Sequence, residues 1–100
     1  MGIARLLTQP VTIERYAGSG PAGAVYDTPV DTLGRLEADG ELVLDSTGTQ
    51  VLSQSRLYLL AGEAITPESR VTADGQTTTV IGVEVVRSPA GPHHLEARLR

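Results

Sequence analysis

One hundred residues without a composition break allow one domain with a single modest core and exclude two. Phe, Trp and Cys are absent and Tyr occurs three times, which excludes disulfides, cysteine-based metal sites and an aromatic core. A formal net charge of -4, with all eight basic residues Arg, argues against a protein that grips phosphate backbones through a basic face.

The core must therefore be built from Val, Leu, Ile and Ala, which bury less area per residue than aromatics. Such a domain is marginal alone, so partner contacts are expected to supply part of its order. An all-Arg set suits fixed interface pairs, and a GC-rich genome gives the same bias.

The opening MGIARLLTQP has too short an apolar run for a signal peptide, and no run approaches the roughly 20 residues of a membrane helix. Ile3, Leu6 and Leu7 fit one short helical turn or an apolar tether over residues 1–8, stopped by Gln9-Pro10. That tether is read either as a frayed terminus or as a segment that docks on a neighbour. Val11 to Tyr16 alternates as a first strand. The Gly/Pro-rich stretch Ala17 to Asp31 predicts a long flexible loop, functional or disordered, in which Ala24 to Tyr26 form a bit of strand.

Thr32 to Asp39 predicts a second strand, broken by Asp39-Gly40. Glu41 to Asp45 and Gln50 to Leu60 then flank the turn-rich Ser46 to Thr49 as a hairpin. In the longer run Val51, Ser53, Ser55, Leu57 and Leu59 share a face. Its first half is too polar for a core and is expected to project, with Arg56 to Leu60 embedded. Ala61 to Ser69 is a crossing loop, anchored by Ile65 and turned at Thr66-Pro67-Glu68.

Arg70 to Arg100 reads as three strands. Val71 and Ala73 precede Asp74-Gly75, a dipeptide that takes φ > 0, and Thr77 to Val86 follow as the partner strand of a hairpin. After a loop at Ser88 to Pro92, Leu95, Ala97 and Leu99 alternate with His94, Glu96 and Arg98. Six or seven short antiparallel strands without a long helix predict an all-β fold, a small β-barrel or sandwich with long projecting loops.

Catalytic chemistry is sparse. His93 and His94 are adjacent on a strand and are expected on opposite faces, with no third metal ligand at a recognisable spacing. No nucleophile elbow accompanies the Ser, His and carboxylate residues. Gly18-Ser19-Gly20-Pro21 lacks the following Lys and helix of a phosphate cradle. Glu37, Asp39 and Glu41 alternate, and are read as a solvated electronegative strand face. Arg residues are scattered and stacking aromatics few, so an oligonucleotide- or carbohydrate-binding barrel is weakly supported. The chain is read as non-enzymatic, without metal or cofactor.

In order and spacing, LLTQPVTIERY, a Gly-rich loop, GRLE at Gly34 to Glu37, RLYLLAGEAITPESRV at Arg56 to Val71, DGQTTTVIGV and a closing GPHHLEARLR resemble the head-to-tail connector proteins of long-tailed bacteriophages. The resemblance is strongest to the stopper, or head-completion, proteins of phages infecting actinobacteria. It spans nearly the whole chain, though no single motif is diagnostic. It implies a β-barrel that forms a ring, with six copies favoured over twelve, beneath the portal and adaptor. The ring closes the channel around packaged double-stranded DNA without sequence-specific binding and offers a surface to the tail terminator and tail tube. The resemblance further implies residence in the virion at the head-tail interface, in the host cytoplasm during assembly, and at no membrane. Within it Glu37, Asp39, Glu41, Asp45, Thr47 and Gln50 are candidate channel residues, with the Glu41 to Ser55 hairpin as the mobile plug. Gly18, Gly20, Tyr26 and Asp27 mark the candidate partner-docking loop. A neighbouring connector component, tail terminator or adaptor, has a similar composition; family adaptors are mainly helical.

Overall fold

The computed structural model describes residues 3–100, apart from the side chains of Ile3, Ala4 and Asp39. Met1 and Gly2, the start of the expected tether, lie outside the described residues. A 3₁₀ turn at Ile3–Leu6 leads into β1 (Gln9–Glu14), β2 (Tyr16–Gly20), β3 (Gly23–Tyr26) and β4 (Val30–Leu44). Then follow β5 (Gln50–Leu60), β6 (Arg70–Ala73), β7 (Gln76–Ser88) and β8 (Gly91–Leu99). Six strands close into an antiparallel barrel in the order β1-β4-β5-β8-β7-β6, while β2 and β3 form a separate two-stranded sheet. The all-β barrel expected from the strand pattern is therefore the fold.

Closure falls to β1. Val11 pairs with Thr32 of β4 on one side and Ala73 of β6 on the other, and Ile13 pairs with Val30 and Val71 in the same way. Strand alternation sends Val11 and Ile13 inward, where both are about 2% exposed. They join Leu57, Leu59, Ile65, Val71, Val80 and Leu99 in a core that also includes Ala73, Leu95 and Ala97. No aromatic enters it, as composition requires.

The Asp74-Gly75 hairpin forms as its residues dictate: both adopt positive φ, 53° and 76°, and Ala73 pairs with Gln76 across a two-residue turn. The expected Ser88 to Pro92 loop is shorter, because Ser88 pairs with Gly91 across Pro89-Ala90. Ile65 is buried as the anchor of the crossing loop, and Ser69 N–H donates to Thr66 O at 3.1 Å, which closes the turn there.

Three expectations need correction. The stretch 17–31 is not one irregular loop: Tyr16 pairs with Tyr26 and Gly20 with Gly23, so it is mostly a β-hairpin. Its glycines permit this, since Gly18 and Gly23 take φ of 122° and 109° beside a Pro21-Ala22 turn. Asp39-Gly40 does not end a strand either. It lies in a register shift between Ala38 and Glu41 within a continuous 15-residue β4. One extra residue on β4, with Asp39 and Gly40 opposite the single Gln54, bends and twists the ladder without ending it. Finally, the first half of β5 projects as expected but is not too polar to bury a residue, because Ser53 is 0% exposed. Its hydroxyl donates to Ser55 O at 3.0 Å, with Leu99 O at 3.3 Å, and that satisfies the buried group.

Gly34 fixes how closely β4 lies against β5. A Cβ there would sit 2.9 Å from Tyr58 O, 3.0 Å from Leu57 Cδ1 and 3.1 Å from Leu59 Cδ2. Gly34→Ala is therefore expected to destabilise the barrel by about 1–3 kcal/mol through overpacking. At Gly40 a Cβ meets nothing within 4 Å, so Gly40→Ala should stay within about 0.5 kcal/mol of the parent. Urea unfolding of the two variants checks both values.

Candidate functional site

The sequence singled out two stretches, and the structure places each on an element that stands off the barrel. The first is the outer half of the β4–β5 hairpin. Ser55 pairs with Leu99, the last residue of β8, so Gln50 to Gln54 run beyond β8 and pair only with β4. The resulting two-stranded ribbon has Glu41 opposite Ser53, Leu42 opposite Leu52 and Leu44 opposite Gln50.

Its tip is a hydrogen-bonded cap. Asp45 Oδ1 accepts from Thr47 N–H at 2.9 Å, Thr47 Oγ1 at 2.7 Å and Thr49 N–H at 2.9 Å. These donors, led by the Thr47 hydroxyl, hold the Asp45 carboxyl below its ordinary value of 3.8, and Arg100 adds to the effect. Two contacts tie this tip to the barrel: Ser46 Oγ donates to Glu68 Oε1 at 3.4 Å, and Arg100 lies 3.9 Å from Asp45. The ribbon is thus tethered at its turn as well as at its base.

The candidate channel residues do not share one environment. Glu37 pairs with Arg35 at 3.1 Å on the surface. Glu41 lies 3.0 Å from Arg98 and 3.4 Å from Arg56, while Asp45, Thr47 and Gln50 belong to the tip. The Asp39 side chain is outside the described residues. Each described carboxylate of this set faces at least one arginine, so the negative charge is compensated locally rather than laid out as a bare face.

The second stretch is the β2–β3 hairpin, whose base is fastened to the barrel. The Arg70 guanidinium stacks 3.9 Å from the centre of the Tyr26 ring and donates to Glu14 at 2.8 Å, and Tyr16 and Tyr26 meet edge to face at 6.1 Å. Arg15 and Asp27 add an exposed pair at 3.4 Å. Ser69 is fully buried, and its Oγ accepts from Tyr16 N–H and Thr66 N–H, each at 3.1 Å. Tyr26 and Asp27 are therefore anchoring residues. Gly18 and Gly20 lie further out and permit the turn.

On the outer wall of β5 and β8, Arg56 donates to Glu96 at 3.1 Å, and His94 Nε2 lies 3.1 Å from the other Glu96 oxygen. His93 Nδ1 and His94 Nδ1 approach to 2.8 Å. This corrects the expectation that adjacent histidines point to opposite faces. Val86 pairs with His94 and Arg87 with Pro92, so His93 is the extra residue of a bulge, which turns the two rings together. Among the described residues no group of three or more His, Cys, Asp or Glu is arranged to hold a metal ion.

A cleft of about 560 Å³ opens beside this network, lined by Leu6, Leu7, Tyr58, His94 and the Arg35–Glu37 pair among others. Alternation along β5 explains part of it. Leu57 and Leu59 face the core, which leaves Tyr58 and Leu60 on the outside. Sequence reasoning missed two further features: the exposed leucines Leu42, Leu44 and Leu52 on the ribbon, and the Arg56–Glu41–Arg98 cluster. The hairpin pairing of two apolar-alternating runs held the signal for the first. The second joins side chains of β4, β5 and β8, three strands far apart in sequence. Comparison with protein-family models and with curated protein sequences gives no match for this chain.

Two outcomes are expected here. Ser69→Ala leaves two part-buried N–H groups without their acceptor and should cost about 1–3 kcal/mol. Hydrogen exchange should then rise first in the β2–β3 hairpin. Asp45 has a depressed folded-state pKa, so its contribution is complete above the ordinary carboxylate range and fades as pH falls through the folded value. The amide resonances of Thr47 and Thr49 should titrate with a midpoint below 3.8, and that titration should vanish in Asp45→Asn.

Proposed function

We propose that this chain is a structural, non-catalytic protein of the neck of a long-tailed bacteriophage, a stopper that sits beneath the portal and adaptor and retains packaged DNA. The observation that carries the reading is where the fold puts its residues. Aliphatic side chains form the barrel core, while the ribbon, capped at its tip, and the β2–β3 hairpin, anchored at its base, stand off it. The order of segments along the chain agrees with that of the connector family it resembles. A protein built this way works through contacts made by its projections.

On this reading the ribbon is the gating element, with Asp45, Thr47 and Gln50 at its tip nearest the DNA. The Ser46–Glu68 and Arg100–Asp45 contacts hold it in one position, and both involve exposed or part-exposed polar groups. Such contacts are weak enough to exchange for new ones when a partner binds. The β2–β3 hairpin is the docking element for the adaptor or tail ring. Its anchored base keeps the cost of ordering low on binding.

The test is to add purified protein to DNA-filled, tail-less heads that carry portal and adaptor, and to measure vertex binding and DNA leakage. Binding with retention of DNA is expected. Binding without retention transfers the chain to an adaptor or tail-joining role. Absence of binding contradicts the connector reading and favours a small binding barrel.

A further inference from the structure

The described residues carry two exposed apolar surfaces of opposite shape. One projects: Leu42 and Leu52 are direct cross-strand partners, Leu44 lies two residues along, and they are 61%, 49% and 66% exposed. Strand alternation puts all three on the ribbon face opposite the buried Ser53, in company with Gln50 and Gln54, and among the described side chains of that face none is charged. The other surface is recessed. It is the cleft floored by the buried Leu7 and by Tyr58, with Leu6, Leu33 and Leu60 exposed on the same outer wall.

We propose that these two surfaces are the two halves of one contact between copies of this chain, the ribbon leucines of one copy entering the Leu7–Tyr58 cleft of the next. Charge selects a second copy as the occupant. Each copy carries a net charge of -4, so an average surface-to-surface meeting is repulsive. The described side chains of the ribbon face are uncharged. The charges that rim the cleft are already compensated within the copy, Arg35 by Glu37 at 3.1 Å, and Glu96 by Arg56 at 3.1 Å with His94 beside it. These are the faces on which two acidic copies meet without a like-charge cost.

Shape leads to the same pairing. An isolated ribbon leucine needs no explanation, but three adjacent ones on a projecting element mark an interaction surface. A partner for the ribbon alone would leave the cleft open, whereas a head-to-tail contact covers both. Ribbon and cleft occupy different parts of β5, Leu52 being separated from Tyr58 by about 20 Å of strand at ~3.3 Å per residue. A contact between two different patches is heterologous, and repeats of it give a ring when the rotation closes. This inference deepens the connector role proposed above, and its place in a neck ring rests on that reading.

The absence of cysteine makes the test direct. Two single-cysteine proteins, Leu44→Cys and Leu60→Cys, are mixed at high concentration and oxidised mildly, and the bridges are mapped by mass spectrometry. Disulfides joining position 44 of one chain to position 60 of another should exceed the 44–44 and 60–60 bridges well beyond the statistical ratio. Adding Leu42→Glu and Leu52→Glu to the ribbon chain should remove that excess, while circular dichroism shows the barrel intact. No bridging, or bridging only between like positions, overturns the proposal and leaves the cleft to another occupant. The readout uses the isolated chain. A bridge at 44–60 without binding to heads would discard the connector role and keep the contact.

Discussion

Everything in this molecule depends on the double pairing of β1. Six residues near the start of the chain supply both the partner of β4 and the partner of β6, and only through them does a six-strand sheet lose its edges. The same residues bring Val11 and Ile13 into the core, so hydrogen bonding and apolar burial favour the same closure. The core holds aliphatic side chains of modest size, and its stability comes from fit rather than bulk. Gly34 shows how narrow that fit is, for it lies where β4 crosses the backbone of Tyr58 with no room for a methyl group.

Closure also decides where function can reside. With the barrel edges paired, three features stand on its outside: a ribbon bent at Asp39-Gly40, a hairpin clamped by Ser69, Arg70 and Tyr26, and an outer wall of compensated charges. Each projection is held by polar contacts at identifiable points. The ribbon has Asp45 at its turn and Glu41 between Arg56 and Arg98; the hairpin has a buried serine beneath it. A scaffold of this kind presents surfaces in fixed positions, which suits the proposed role in an assembly.

Much of the fold was legible in the sequence because the local signals were physical and strong. Asp74-Gly75 can hardly do anything but make a tight turn, and the alternation of Leu95, Ala97 and Leu99 reads directly as one buried face. The errors came where a glycine-rich or polar stretch has two outcomes. Ala17 to Asp31 looked like a loop because glycines lack β propensity, yet Tyr16 and Tyr26 pair across its ends and fix the register of a hairpin. Asp39-Gly40 is a break in an isolated strand and a bulge in a paired one; which it becomes depends on β5, far along the chain. Ser53 looked solvated because its burial rests on the Leu99 carbonyl, 46 residues away. Asp45 and Thr47 were read at the turn of a hairpin, where the structure has them, whereas Tyr26 was read in a flexible loop and lies on a paired strand. The candidate residues' partners Arg56, Arg98, Arg100 and Arg70 come from distant strands, and one-dimensional spacing does not show such neighbours. Nor did it show that a bulge at His93 would bring two imidazoles together.

The central claim is that the closed barrel stays as it is while its projections make the contacts. Amide hydrogen exchange, followed by mass spectrometry on the free chain and on the chain bound to DNA-filled heads, tests it most directly. The account predicts new protection in peptides covering residues 38–55 and 16–26, with the barrel peptides of β1, β6 and β8 unchanged. Protection that appears mainly in those barrel strands, with none gained in the ribbon, would contradict it.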